Sequence, residues 1–259
     1  MRRFSANLGF LFTHLPLTDR IGAAAAAGFT GVEMHWPYDV SAHDIKAALA
    51  RGGLTMLALN TPVGDAAAGE FGLGALPGRA TDFRRAFDTA LSYAAEIGAN
   101  AIHCMAGVVP AERDGDAEDT FVENLKSAAD KAAQASLTLL LEPINHRDKP
   151  GYFLHHVEQA AAIIEKVGRA NVKIMFDCYH TQIMQGDLIR RLETHLPLIG
   201  HVQIAGVPDR AEPYEGEINY PEIFRALDRM EYGGWIGAEY KPRGRTEDGL
   251  AWLSTWSDK

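Results

Sequence analysis

Cysteine is scarce: the 259 residues contain two, Cys104 and Cys178, both inside apolar runs. Two such thiols cannot build a disulfide framework, so a small stapled secreted fold is excluded and a reducing, cytoplasmic setting is expected. Long hydrophobic runs are also lacking. No window reaches the roughly 18 apolar residues of a membrane span, and the charged start Met1-Arg2-Arg3 leads into no signal-peptide core. Basic clusters are missing as well. Lys+Arg 25 against Asp+Glu 34 gives a formal charge of −9, whereas a nucleic-acid surface needs Lys and Arg gathered on one face. Neither nucleic acid nor membrane is therefore expected as a partner. The chain has no Walker loop, no Gly-x-Ser-x-Gly elbow and no Cys-x-x-Cys pair. With no Ser/Gly linker to divide it, residues 1–259 read as one domain. Assembly into a homo-oligomer is left open.

What is present is a regular alternation. Short apolar runs at Ser5–Gly9, Gly31–Met34, Thr55–Leu59, Ala101–Met105, Thr138–Glu142, Lys173–Asp177, His201–Ile204 and Ile236–Glu239 are separated by stretches of helical period. Phe83, Phe87, Ala90, Ala94 and Ile97 make one helical stripe, and Phe121, Leu125, Ala128 and Ala132 another. Val157, Ala160, Ala161 and Ile164 form a third. Gly28, Gly98 and Gly168 follow helical stretches, where a left-handed residue ends a helix. Eight strands in this length give about 32 residues per unit, close to a (β/α)8 TIM barrel. An open doubly wound sheet shares the alternation, but no Gly-rich dinucleotide fingerprint follows the first strand. The segment Thr61–Gly78, rich in Gly and Ala, exceeds ordinary loop length. It leaves the strand end where a barrel keeps its chemistry, so it is read as a lid.

The sharpest chemical signal is four polar residues at the ends of consecutive late strands: Glu142, Asp177, Gln203 and Glu239. Buried carboxylates without partners are strongly disfavoured. Three converging on one barrel mouth require a cation between them, and oxygen ligands of this kind suit a divalent ion such as Mg2+ or Mn2+. Salt bridges to loop arginines are the plainer alternative for each residue taken singly. His180, three residues past Asp177, is placed to touch a substrate oxygen. His103 and His201 lie within strands, where a core role and a site role are equally open. Glu33 is either site wall or salt-bridge partner. His146 and Arg147 follow Glu142 in a polar loop, either orienting substrate or simply solvated, while His14, His35, His43, His155, His156 and His195 give no signal. Trp235, Trp252 and Trp256 fit core packing.

These residues resemble a known family, the hydroxypyruvate isomerases, within the xylose-isomerase-like barrels that also include sugar epimerases and an apurinic endonuclease branch. The resemblance is carried by Ala6-Asn7-Leu8, Ala26–Glu33, Ala75–Arg79 and His103–Gly107. More specific are Leu141-Glu142-Pro143-Ile144-Asn145, Gly200–Ala205 with Pro208 and Arg210, Gly216–Tyr220 and Gly237–Pro242. It implies that Glu142 and Glu239 are the catalytic acid/base pair, and that Asp177 and Gln203 complete the metal site with them. His180, Arg210, Lys241 and His103 are the candidate substrate contacts, and Arg79 or Arg210 is expected to pair with a substrate carboxylate. Gln203 stands where sugar epimerases typically have histidine, which bears on the ion's affinity and identity. Asn60-Thr61-Pro62 departs from the more apolar turn of the isomerases, which bears on substrate choice. The implied reaction interconverts hydroxypyruvate and tartronate semialdehyde. Isomerisation of 2-oxotetronate is the alternative. A metal-dependent endonuclease and a binding protein are the readings from other classes.

Overall fold

The computed structural model describes residues 2–110 and 113–257. Eight parallel strands close into a barrel in sequence order. They are β1 (Arg3–Asn7), β2 (Gly31–Met34), β3 (Thr55–Asn60), β4 (Ala101–His103), β5 (Thr138–Leu141), β6 (Val172–Asp177), β7 (Ile199–Ile204) and β8 (Trp235–Ala238). All eight expected strands exist, with ends displaced by at most two residues. The displacements fall where an apolar run continues past the last ladder bond, as at Cys104 and Met105, or where the ladder starts ahead of the run, as at Ile199. Closure comes from β1 pairing with β8 in the register Phe4↔Ile236 and Ala6↔Ala238.

The outer layer is helical: α1 (Leu17–Ala26), α2 (Ala42–Gly52), α3 (Ala80–Ile97), α4 (Asp114–Gln134), α5 (Val157–Val167), α6 (Cys178–Met184), α7 (Leu188–His195), α8 (Tyr220–Arg229) and α9 (Ala251–Ser257). The stripe Phe83, Phe87, Ala90, Ala94 and Ile97 of α3 is buried throughout, as its period requires. Gly98 caps α3 with φ 73°, whereas α1 is capped by Ala27 rather than Gly28. Trp252 and Trp256 pack edge-on against Phe4 and Phe224 under the β1–β8 seam, a core role. Among the described residues, no helix is long and apolar enough to cross a membrane.

Side chains alternate across each strand, so every second residue points into the barrel. Ala58, Ala101, Leu140 and Met175 form a small apolar plug separate from the main core. Beside it lies a polar group from the other strands. Glu33 accepts hydrogen bonds from Ser5 Oγ at Oε1 (2.6 Å) and Gln203 Nε2 at Oε2 (2.8 Å), and His201 Nε2 lies 3.0 Å from Oε1. Gly237 makes this possible, since a Cβ there would sit 2.2 Å from Glu33 Oε1. Glu33 is therefore a buried acceptor for Ser5 and Gln203, and His201 stands beside it in the barrel interior rather than at the mouth.

The segment 61–78 is more ordered than a bare flap. Asp65 caps a short 3-10 turn at Ala66–Ala68. Gly72 bridges to Ala106 in antiparallel fashion, and the amides of Gly74 and Ala75 donate to Met105 (3.0 Å) and Ala106 (2.7 Å). The stretch 72–75 is thus tied to the exit of β4, and only residues 65–70 project from it.

Candidate active site

One step beyond the plug, the same alternation sets a polar residue at the C-terminal end of every strand: Asn7, His35, Asn60, His103, Glu142, Asp177, Gln203 and Glu239. They are joined by contacts around the ring. Asn7 Nδ2 donates to Glu239 Oε1 at 2.8 Å, and His35 Nε2 lies 3.0 Å from the same oxygen. His103 Nδ1 stands 3.3 Å from Asn60 Oδ1 and 3.4 Å from Glu142 Oε2. Asp177, at the N-cap of α6, accepts the amides of Tyr179 (2.7 Å) and His180 (3.4 Å). That geometry follows from β6 running into α6 without a loop.

Glu142, Asp177, His180 and Glu239 each offer a ligand atom within 4.8 Å of the others, all four buried. The three acids come together as expected. His180, expected only beside the substrate, joins them through Nε2, 3.5 Å from Glu142 and 3.6 Å from Asp177. Its Nδ1 receives both the backbone amide (3.3 Å) and the side-chain amide (2.6 Å) of Asn145. A nitrogen that accepts a backbone N–H carries no proton, so neutral His180 is protonated on Nε2. In that tautomer Nε2 is a hydrogen-bond donor, with no lone pair for a cation.

Gln203, the register partner of Asp177, is 1% exposed. Its amide nitrogen is given to Glu33, while Oε1 is buried without a hydrogen-bond partner among the described residues. A buried amide oxygen lacking a donor, beside three carboxylates, fits a hard divalent ion. The residues present could therefore hold a metal, Gln203 offering a free oxygen next to Asp177 in the neighbouring strand.

Arg210 crosses the mouth. Its Nη2 lies 2.6 Å from Glu239 Oε2 and 3.5 Å from Asp177 Oδ2, and Nη1 is 3.5 Å from Asp148. The guanidinium sits over the rings of Phe10 and Tyr179. Its backbone adopts φ 55°, a left-handed conformation costing a non-glycine residue roughly 1–3 kcal/mol. Lys241 helps hold it, donating its amide to the Arg210 carbonyl at 2.7 Å.

The electrostatics split the two glutamates. Burial, with the charges of Glu239 and Asp177 nearby, pushes the Glu142 carboxyl well above its usual range. Burial acts on Glu239 too, but Arg210 and His35 outweigh it and hold this carboxyl well below. Asp177 is raised to about 7 by burial, against the pull of Arg210 and its two capping amides. Burial lowers His103 to about 3, so its ring is neutral. Burial, reinforced by Arg210, likewise holds His180 well below its ordinary value.

Above these groups opens a cavity of about 390 Å³, lined among others by Glu142, Glu239, His103, His180, Arg210 and Lys241. Each expected substrate contact is thus at the cavity. Arg79 is not: its guanidinium is taken by Glu70 and Asp82 outside it, because it caps α3 on the outer layer. His146 and Arg147 do not line it either. Reading the sequence missed His35, Trp36, Phe71 and Lys149, all of which do. The missed signal for His35 was its place two residues past Glu33, the spacing that links His201 to Gln203 and Gly237 to Glu239.

The family described as xylose isomerase-like TIM barrel matches residues 21–256. The 2-oxo-tetronate isomerase of Cupriavidus necator is 49% identical over 257 residues, covering 99% of both chains. The hydroxypyruvate isomerase of Escherichia coli is 42% identical over 257 residues, covering 99% of this chain and 100% of its own. A crystal structure described as an AP endonuclease, family 2, from Brucella melitensis superposes with a TM-score of 0.97 at 46% identity, covering 100% of each chain. On this evidence of barrel, mouth and full-length similarity, the chain belongs to the xylose isomerase-like TIM barrel family and, within it, to the hydroxypyruvate isomerases.

Proposed function

We propose that the protein interconverts hydroxypyruvate and tartronate semialdehyde, moving a carbonyl between adjacent carbons of a small hydroxy-oxo acid. The observation that carries this reading is the pair Glu142 and Glu239, buried at one mouth with ligand atoms within 4.8 Å of one another, Glu239 alone paired closely with Arg210. A carbonyl shift removes a proton from one carbon and returns one to its neighbour, so it needs one carboxylate and one carboxylic acid at the outset. Glu239, ionised beside Arg210, takes the proton from carbon 3 of hydroxypyruvate, Glu142 delivers a proton to carbon 2, and the hydroxyl proton passes from the carbon 3 oxygen to the carbon 2 oxygen; the reverse reaction exchanges the roles. His180 donates its Nε2 proton as a hydrogen bond to a substrate oxygen. A divalent ion, Mg2+ or Mn2+, held chiefly by Asp177, Gln203 and Glu239 with the neutral Glu142 carboxyl as its weakest ligand, would supply Lewis-acid stabilisation of negative charge on the substrate oxygens.

Incubating hydroxypyruvate with the enzyme in deuterated water tests the proton path. Deuterium is expected on the carbon that gains the proton, at a rate matching turnover; product formed without incorporation from solvent would favour direct hydride transfer and sink the two-glutamate path. A second substrate, 2-oxotetronate, is favoured by the room in the cavity beyond a three-carbon acid and by relatives bearing that name at 49% and 46% identity. Parallel assays of the two acids decide between them. The endonuclease reading meets a net charge of −9 and a mouth lined by Glu142, Asp148 and Glu239, which would repel a phosphate backbone.

The 61–78 segment acts in this reading as a cover whose working part is Phe71, which lines the cavity and packs edge-on against Trp36 and Tyr152. Excluding water protects an enediolate from stray protonation. Deleting the projecting tip 65–70 frees Phe71 from its anchor, the Glu70–Arg79 ion pair. We expect kcat to fall by roughly tenfold or more with an unchanged circular dichroism spectrum; unaltered kinetics would make the tip decoration.

A further inference from the structure

An anionic substrate entering this cavity meets carboxylates, so it needs a cation whose charge is not already spent. Arg210 does not provide one freely, since Glu239, Asp177 and Asp148 all stand within salt-bridge distance of it. Lys149 does. It lines the cavity and is half-buried, and it has no acidic partner within salt-bridge distance among the described residues. Its neighbour Asp148 is turned away, accepting Tyr179 Oη at 3.2 Å and facing Arg210. The ammonium is not loose, however: Nζ sits 4.0 Å from the centroid of the Phe71 ring. A cation over an aromatic face is positioned at little cost in hydration and stays able to accept a full counter-charge. Its backbone is fixed as well, by a hydrogen bond from the Lys149 amide to the Asn145 carbonyl at 3.1 Å.

We propose that Lys149, held against Phe71, is the residue that receives the substrate carboxylate and makes the site select acids over neutral ketoses. This deepens the isomerase reading and rests on it. Lys241 also lines the cavity but is exposed at its rim, with no ring against its ammonium among the described residues; Arg147, an exposed cation two residues from Lys149 that does not line the cavity, serves as the control. The arrangement also gives the 61–78 segment a second function, because the carboxylate would be gripped by a lysine whose position the segment sets.

The test measures kcat/KM for hydroxypyruvate and for dihydroxyacetone, the neutral compound in which a hydroxymethyl replaces the carboxylate. Lys149→Met is expected to reduce the preference for the acid by roughly 10- to 100-fold, the scale of a charged hydrogen bond, mainly through KM. Lys149→Arg is expected to restore most of it, and Arg147→Met, which removes a neighbouring cation outside the cavity, to change it by less than about threefold. An unchanged preference in Lys149→Met, or an equal loss in Arg147→Met, overturns the proposal. If the wild type turns over neither compound, the isomerase reading itself falls. Calorimetric titration of pyruvate, a 2-oxo acid with no hydroxyl to isomerise, then still decides: weaker binding by Lys149→Met than by the wild type supports the carboxylate role, and equal binding removes it.

Discussion

Saturated with divalent cation, Glu142→Gln and Glu239→Gln are each expected to turn over at least roughly 100-fold more slowly than the wild type, the scale of general acid–base catalysis. The amide keeps the size and one acceptor oxygen of the carboxylate but cannot carry the proton. The two variants should differ in how they fail. At position 142 a neutral amide replaces a carboxyl whose neutral form burial and two nearby acids already favour. Metal-free Glu142→Gln should therefore be as stable as the wild type or more so, with the loss falling on kcat. At position 239 the amide removes the charge that lies 2.6 Å from Arg210. Arg210 then swings toward Asp177 and Asp148, so KM should rise as kcat falls. A role in holding the ion alone predicts losses that track metal occupancy, which calorimetry measures separately. Near-normal turnover of either variant at full occupancy would take that residue out of proton transfer.

How much of this was visible in the chain depends on which periodicity carried it. The eight strands and the α3 stripe were legible because apolar period is the quantity that burial acts on. Glu142, Asp177 and Glu239 were legible because an acid ending an apolar run is costly without a reason. Asn7, Asn60 and His35 follow the same inward spacing, yet neutral polar residues near strand ends are ordinary, and nothing local marks them. His180 shows the limit more sharply. Its place past β6 was readable, but its tautomer depends on Asn145, 35 residues away, and on the closure that brings β5 and β6 together. Lys149 was invisible for a similar reason. A lysine in a polar loop reads as solvated until the fold lays Phe71 beneath it.

Removing the cation is expected to lower turnover by on the order of 1,000-fold, because several kcal/mol of charge stabilisation goes with it. The binding itself should depend on pH in a direction the site fixes. Burial holds Asp177 protonated up to about pH 7 in the metal-free protein. A ligating carboxylate must be ionised, so the ion displaces protons as it binds. Affinity should fall as pH drops through 7, by up to about tenfold per pH unit for each proton displaced. Stability obeys the complementary sign. An acid whose pKa rises on folding favours the native state fully below its unfolded value, here near 3.8, and loses that contribution as pH climbs through about 7. The metal-free mouth is therefore most strained at alkaline pH, where binding relieves most. The rise in Tm on adding Mg2+ or Mn2+ should be larger at pH 8 than at pH 6, and Asp177→Asn, which still caps α6, should abolish most of it. Equal rises at both pH values would mean that the ion displaces no proton, and hence that these acids do not hold it.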